Sequence, residues 1–192
     1  MEEETHGTDS GTIHGTDSRL EQKLGFDRIR KMISDRCATE YAASRAAEEA
    51  FSTNETEIRK RLLLTDEMRL ILMFEESFPT GGYIDCIDFL VPLMKSSAAI
   101  DILSLRKLKT MLETLSKVTA FFEEIKDEVY PNLKRMSAPV MRFPEVQRRI
   151  GLILDRFGEV RDTASDALLE IRRSLKDKEG TISRRISSIL RK

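Results

Sequence analysis

Hydrophobic residues recur at intervals of three and four along most of this chain, which is the spacing of one face of an α-helix. β-Branched residues form no alternating runs of the kind that strands show. The pattern predicts helices over residues 20–37, 39–51, 54–76, 86–95, 104–126 and 144–154. Pro79 and the pair Gly81-Gly82 interrupt it and predict a loop over residues 77–85. We therefore expect an all-α fold of seven or eight helices with few if any strands.

Polar residues and prolines mark several helix starts. Asn54, followed three residues later by Glu57, resembles a capping box. Ser104 is the predicted N-cap of the long helix over 104–126. Pro144 fits the first turn of the helix that it opens, and Ser165 is the predicted cap of the last helix.

The last helix carries an apolar stripe that we call the seam. Some of its members are spaced by seven residues, as in a coiled coil, which predicts that the helix needs a partner helix. The seam comprises Leu168, Ile171, Leu175, Ile182, Ile186 and Ile189. The sequence stops at Arg191-Lys192 with no capping glycine and no returning helix. We therefore expect a fragment or truncated product that ends in one arm of an incomplete coiled-coil clamp.

The first residues form a separate, low-complexity segment. The sequence His-Gly-Thr-Asp-Ser occurs at 6–10 and again at 14–18, in a stretch with almost no large apolar residues. We expect a disordered leader, although its two histidines leave weak metal binding as an alternative. The predicted organisation is a leader over 1–18, a helical core domain over 19–164 and the start of a clamp arm over 165–192.

The formal net charge of −1 conceals an asymmetry. Residues 1–18 carry five acidic and no basic residues, and from residue 165 onward there are eight basic and four acidic residues. A basic helix attracts phosphate backbones, and a solvated helix face is the alternative interpretation. The candidate nucleic-acid contacts are Arg172, Arg173, Lys176, Lys178, Arg184 and Arg185.

Catalytic chemistry is not indicated by the sequence. Both histidines lie in the leader, so no Ser-His-Asp set or His/Cys metal cluster is predicted. The Gly81-Gly82 loop lacks the following Lys-Ser/Thr of a phosphate-binding loop. Cys37 and Cys86 are isolated, and we expect buried, reduced thiols in a cytoplasmic protein. No apolar run approaches the ~20 residues that span a bilayer. Pattern alone thus predicts a soluble helical interaction module without a cofactor.

Four ordered segments resemble the second bacterial class of MutS-type proteins, the class not devoted to mismatch repair. The first is KLGFD at 23–27, and the second is FPTGGYID at 78–85, which resembles that family's FPxGGxxD segment. The third is the helix start at 103–112, with Leu, Ser, Leu and Leu in matching positions. The fourth is GEVRDTAS at 158–165 with the following Leu and Ile-Arg-Arg at 168–173. Together these segments cover roughly residues 20 to 192.

The resemblance implies a helical core, or lever, domain whose last helix continues into a DNA-embracing clamp. It also implies an ATP-driven dimer that binds branched DNA and suppresses recombination, and a role in rescuing collided ribosomes. In that family an ABC-type ATPase, which uses ATP and magnesium, and a Smr nuclease module follow. Neither module occurs in this sequence. No catalytic residue can be carried over, and we expect this chain not to be an enzyme.

Three functional hypotheses remain open from the sequence. The first is a non-catalytic lever segment that transmits motion between an ATPase and a DNA clamp. The second is autonomous binding of nucleic acid by the basic helix, which we expect to be weak or absent in this chain alone. The third is a stand-alone helical adaptor that pairs through the seam. The partner of the seam is then a second copy of the chain or the missing C-terminal part of the same protein.

Overall fold

The computed structural model describes residues 18–95 and 99–191, with side chains from residue 21 onward. Except for Ser18, the predicted leader lies outside the described residues. The α-helices are α1 (Ser18–Leu24), α2 (Phe26–Ser34), α3 (Glu40–Ala47), α4 (Glu55–Phe74), α5 (Ile87–Lys95), α6 (Ile102–Glu124), α7 (Pro131–Ser137), α8 (Pro144–Ile153) and α9 (Asp166–Leu190). Within the described ranges the β-structure is one isolated bridge between Leu154 and Val160. The predicted all-α class is confirmed.

The described chain divides near residue 71 into two compact units. In the first unit, α1 packs on α2 and α2 packs on α3. The single helix predicted over residues 20–37 is wrong, because Gly25 adopts a left-handed φ of 75° and separates α1 from α2. This backbone region is open to glycine and strained for other residues, so the chain turns here. The break at Gly25 is one reason why the described residues form more helices than the seven or eight that the sequence predicts.

Side-chain caps define the other helices of the first unit. Thr39 accepts a hydrogen bond from the Ala42 backbone N–H at 3.2 Å and begins α3. The helix ends at Ala47, before the predicted residue 51. The predicted cap at Asn54 is confirmed by the hydrogen bond from the Glu57 N–H to Asn54 Oδ1, at 3.1 Å. The Glu57 carboxylate accepts from Arg61 Nε at 2.7 Å, one turn further along α4.

The first unit leaves much of its predicted apolar face open. Ile29, Met32 and Ile33 on α2 are between 50% and 53% exposed. With Cys37 they line a shallow groove of about 390 Å³. The prediction that Cys37 is buried is therefore wrong, since this thiol is half-exposed.

The second unit is organised around α6, which packs on α7 and on α8. The sequence prediction of Ser104 as the N-cap is wrong, since Asp101 caps the helix. Asp101 accepts hydrogen bonds from the Ser104 N–H at 2.9 Å and from the Ser104 hydroxyl at 2.6 Å. These bonds, the side-chain one first, lower the pKa of the Asp101 carboxyl below its usual value. The core between α6 and α8 consists of Leu105, Leu112, Ile150 and Leu154.

Gln147 adds a polar contact to the packing of α8 on α6. Its Nε2 donates to the Leu112 carbonyl at 2.7 Å and to the Ser116 hydroxyl at 2.9 Å. Pro144 stands in the first turn of α8, as predicted. The two helices are therefore joined by apolar packing and by a half-buried amide, and we call this pair of helices the support.

The loop over residues 77–85 is confirmed and is anchored against α6. The ring of Phe78 packs edge-on against Phe121, with ring centroids 5.1 Å apart, and against Phe122 at 6.1 Å. Gly82 has a left-handed φ of 84° and lies directly over Thr114. The glycine pair thus serves close packing of a loop on a helix.

This close approach predicts that Gly82→Ala destabilises the second unit. A Cβ at Gly82 would lie 2.2 Å from Thr114 Oγ1, and the positive φ adds backbone strain. We expect the free energy of unfolding to fall by about 1–3 kcal/mol in urea denaturation. Gly81→Ala is the matched control, because nothing lies within 4 Å of a Cβ at that position. Equal stability of the two variants would contradict the account.

Candidate interaction surface

Helix α9 begins where the sequence predicts it. Ser165 Oγ accepts a hydrogen bond from the Leu168 N–H at 3.2 Å, so the N-cap is confirmed. A short 3₁₀ turn (Asp162–Ala164) precedes the cap and packs on the first turns of α9. Arg172 forms an ion pair with Asp162 and ties this turn to the helix. Beyond these first turns α9 is exposed on every side.

The seam lies open along almost the whole of α9. Leu168 is half-buried next to the 3₁₀ turn. The other five seam residues are between 52% and 71% exposed. At about 100° of rotation per residue, the six side chains fall within a sector of roughly 60°. The structure therefore places the predicted seam residues on one face, and that face is unpartnered within the described chain.

The six candidate nucleic-acid contacts do not share a face. By the same helical rotation, Arg172 and Lys176 follow one edge of the seam, and Lys178 and Arg185 follow the other. The remaining two, Arg173 and Arg184, lie on the back of the helix. Arg184 also donates to the carbonyl of Gly180 at 3.2 Å. The fold therefore does not gather all six residues into one basic surface. Nucleic-acid contact by these residues stays a prediction.

The segment between α8 and the 3₁₀ turn holds the base of α9, and we call residues 155–161 the root turn. Asp155 Oδ1 accepts hydrogen bonds from the backbone N–H groups of Phe157 and Glu159, both at 2.8 Å. These bonds, that from Glu159 first, lower the pKa of the Asp155 carboxyl. Gly158 supplies the left-handed φ of 81° that lets the chain reverse.

Two arginines connect the root turn to the helical core. Arg106 on α6 donates through Nε to the Gly158 carbonyl and through Nη2 to Glu159 Oε1, the latter at 2.9 Å. Arg161 Nε donates to the Gly151 and Leu154 carbonyls at the end of α8, at 2.8 and 3.1 Å. The root turn is thus fixed to both helices of the support, and α9 starts from it.

Sequence reasoning found Gly158 and Ser165 but missed Arg106 and Asp155. A local signal was available for Asp155, because an aspartate shortly before a glycine often accepts backbone hydrogen bonds in a turn. Arg106 had no such signal, because its partner lies 52 residues further along the chain. Only the packing of α6 on α8 brings the two together.

The described residues hold neither a metal-binding cluster nor a membrane-spanning helix. No group of three or more His, Cys, Asp or Glu residues is arranged there to hold a metal ion. Each helix among the described residues is too short or too polar to span a bilayer. Cys86 is buried, and desolvation raises the pKa of its thiol.

Comparison with known proteins gives one consistent relationship. The chain is similar to "Endonuclease MutS2" of Thermomicrobium roseum, with 29% identity over 178 residues. The proteins of the same name from Listeria welshimeri and Symbiobacterium thermophilum are 28% and 27% identical over 182 and 175 residues. These matches cover 90–91% of this chain and 22% of each relative. No family model matches the chain. The predicted resemblance is confirmed, and the chain spans about a fifth of these relatives' length.

The carboxylate of the root turn predicts a pH-dependent contribution to stability. The folded-state pKa of Asp155 is depressed, so its stabilisation is present above the unfolded-state pKa of about 4 and is lost as pH falls through the folded value. We expect Asp155→Asn to lower the urea midpoint at pH 7 and to differ less from the parent chain at pH 3. A difference that is constant between pH 7 and pH 3 would contradict a role for the charge.

Proposed function

We propose that this MutS2-like chain is a non-catalytic lever segment that sets the direction of an exposed helical arm. The observation that carries the proposal is the root turn. Arg106 and Arg161 hold it to α6 and α8, and Ser165 starts α9 directly after the 3₁₀ turn. Movement of α6 and α8 is then transmitted to α9 through hydrogen bonds and not through a flexible linker.

The length of α9 makes this geometry useful. Its 25 residues extend about 37 Å at 1.5 Å per residue. A rotation of only about 10° at the root turn would therefore displace the far end of the helix by roughly 6 Å. A rigid support and a long arm together convert a small rotation at the root turn into a large displacement at the far end of α9.

Spin-label distances test the lever. One label replaces Lys117 on α6 and the other replaces Ser188 on α9, both exposed, in a Cys37→Ser background diluted with unlabelled chain. We expect a narrow distance distribution in the parent chain and a clearly broader one in Arg106→Met, which removes the guanidinium but keeps much of the aliphatic stem. Lys107→Met, an exposed neighbour with the same charge change, should leave the distribution narrow.

A parent distribution as broad as that of Arg106→Met would overturn the lever proposal. Broadening by Lys107→Met alone would also overturn it, since that residue contacts neither Gly158 nor Glu159 in the hydrogen bonds described above.

The distribution of charge on α9 predicts weak DNA binding by this chain alone. A straight helix lying on a duplex presents one face, and four of the six candidate cations (Arg172, Arg173, Lys176 and Arg184) fall within about 120° of helical rotation. Asp166 lies in the same sector and Arg172 is already paired with Asp162, so about two positive charges remain uncompensated there. We expect the logarithm of the affinity for a four-way junction to fall with the logarithm of salt concentration with a slope of about −2. Fluorescence anisotropy between 50 and 200 mM salt measures it. A slope several times steeper would favour the autonomous nucleic-acid binder.

A further inference from the structure

The first unit carries a shallow apolar groove along α2, and we call it the α2 groove. It has a volume of about 390 Å³ and is lined by Ile29, Met32, Ile33, Arg36 and Cys37. Although α1 and α3 both pack on α2, the two isoleucines and the methionine stay half-exposed. Removal of apolar surface from water lowers the free energy, so this face is suited to a partner.

Positive charge flanks the apolar residues of the α2 groove. The Arg36 guanidinium lines the groove, and its Nη1 donates to the Met32 carbonyl at 2.9 Å. At about 100° of rotation per residue, Arg28 lies about 40° beyond Met32 on the same side of α2. Neither arginine forms an ion pair among the described side chains. Asp35, at the end of α2, pairs instead with Lys31 at 3.5 Å.

We propose that the α2 groove binds an amphipathic helix of another protein whose apolar stripe is flanked by acidic residues. From Ile29 to Cys37 the groove extends about two helical turns, so apolar side chains spaced by three and four residues on the partner can lie along it. The flexible side chain of Met32 adapts to the shape of such side chains. The partner's carboxylates then meet Arg28 and Arg36 at the edges of the groove.

Shape and charge favour such a helix over other occupants. The groove is shallow, so an acyl chain lying in it would stay largely in water, whereas a helix covers the groove with its own apolar face. A second copy of this chain, pairing through the same face, would bring Arg28 and Arg36 against the same two arginines. Like charges across an interface oppose association. Acidic flanks on the partner replace this repulsion by attraction.

The chain contains a native reporter for occupation of the α2 groove. The Cys37 thiol lines the groove, is half-exposed, and donates to the Ile33 carbonyl at 3.3 Å. A helix that covers the groove therefore covers this thiol as well. Cys86 is buried, so its reaction with the same reagent reports any general opening of the chain.

The rate of Cys37 alkylation by N-ethylmaleimide tests the proposal, with mass spectrometry to distinguish it from Cys86. The probe is a helical peptide of 18 residues with a leucine stripe and glutamates on both flanks, and the control peptide carries lysines in place of the glutamates. An interface of two turns is small, so we expect a dissociation constant of about 100 μM. The acidic peptide at 200 μM should then slow alkylation of Cys37 about threefold, and the lysine peptide should leave the rate unchanged.

Charge reversal tests the role of the two arginines. Arg36→Glu should lose protection by the acidic peptide and gain protection by the lysine peptide. Arg28→Glu should shift the preference in the same direction without removing the hydrogen bond to the Met32 carbonyl. Lys31→Glu is the matched control, because it makes the same charge change on the opposite face of α2 and should keep the preference of the parent chain. Circular dichroism verifies that all three variants remain helical.

Several results would overturn the proposal. Failure of the acidic peptide to protect Cys37 would show that no such helix binds, and equal protection by both peptides would show that charge plays no part. Slower alkylation at higher concentration of the chain itself would identify a second copy as the occupant. Equal protection by dodecanoate at 200 μM would identify an acyl chain.

The inference goes beyond the lever proposal and can fail independently of it. The α2 groove belongs to the first unit, whereas Arg106, the root turn and both spin-label positions belong to the second. Loss of peptide protection with a narrow distance distribution would remove the docking site alone. Peptide protection with a broad distribution in the parent chain would remove the lever alone.

Discussion

The hydrogen bonds between Arg106 and the root turn are the constraint on which the direction of α9 depends. Almost all of α9 is exposed, so within the described part of the chain the tertiary contacts of this helix are confined to its first turns. Its orientation is therefore decided over a few residues, where Asp155 and Gly158 shape the reversal and Arg106 and Arg161 tie it to α6 and α8. A change in any of these contacts would alter the orientation of α9 at its base.

The root turn and the seam of α9 differ in the kind of interaction that each can make. The root turn is polar and rich in hydrogen bonds, which fix geometry because they are directional. The seam is apolar, and apolar burial is non-directional and scales with area. The chain is similar to MutS2 proteins over about a fifth of their length.

Helix identity was readable from the sequence, and contacts between distant residues were not. The periodicity over α6 and α9 and the caps at Asn54 and Ser165 are local signals, so they predicted the elements correctly. Asp101 displaced Ser104 as a cap because both residues suit that role and local pattern cannot rank them. The exposure of the apolar face of α2 was not readable, because periodicity reports amphipathicity and says nothing of what covers a face.

Amide hydrogen exchange at the root turn tests the central claim most directly. The Glu159 and Arg161 N–H groups donate to Asp155 Oδ1 and to the Ile153 carbonyl, both at 2.8 Å. The account predicts slow exchange at both amides and a selective acceleration in Arg106→Met, with the amides of α6 and α8 unchanged. Fast exchange at both amides in the parent chain, or no acceleration in Arg106→Met, would contradict a fixed base for α9.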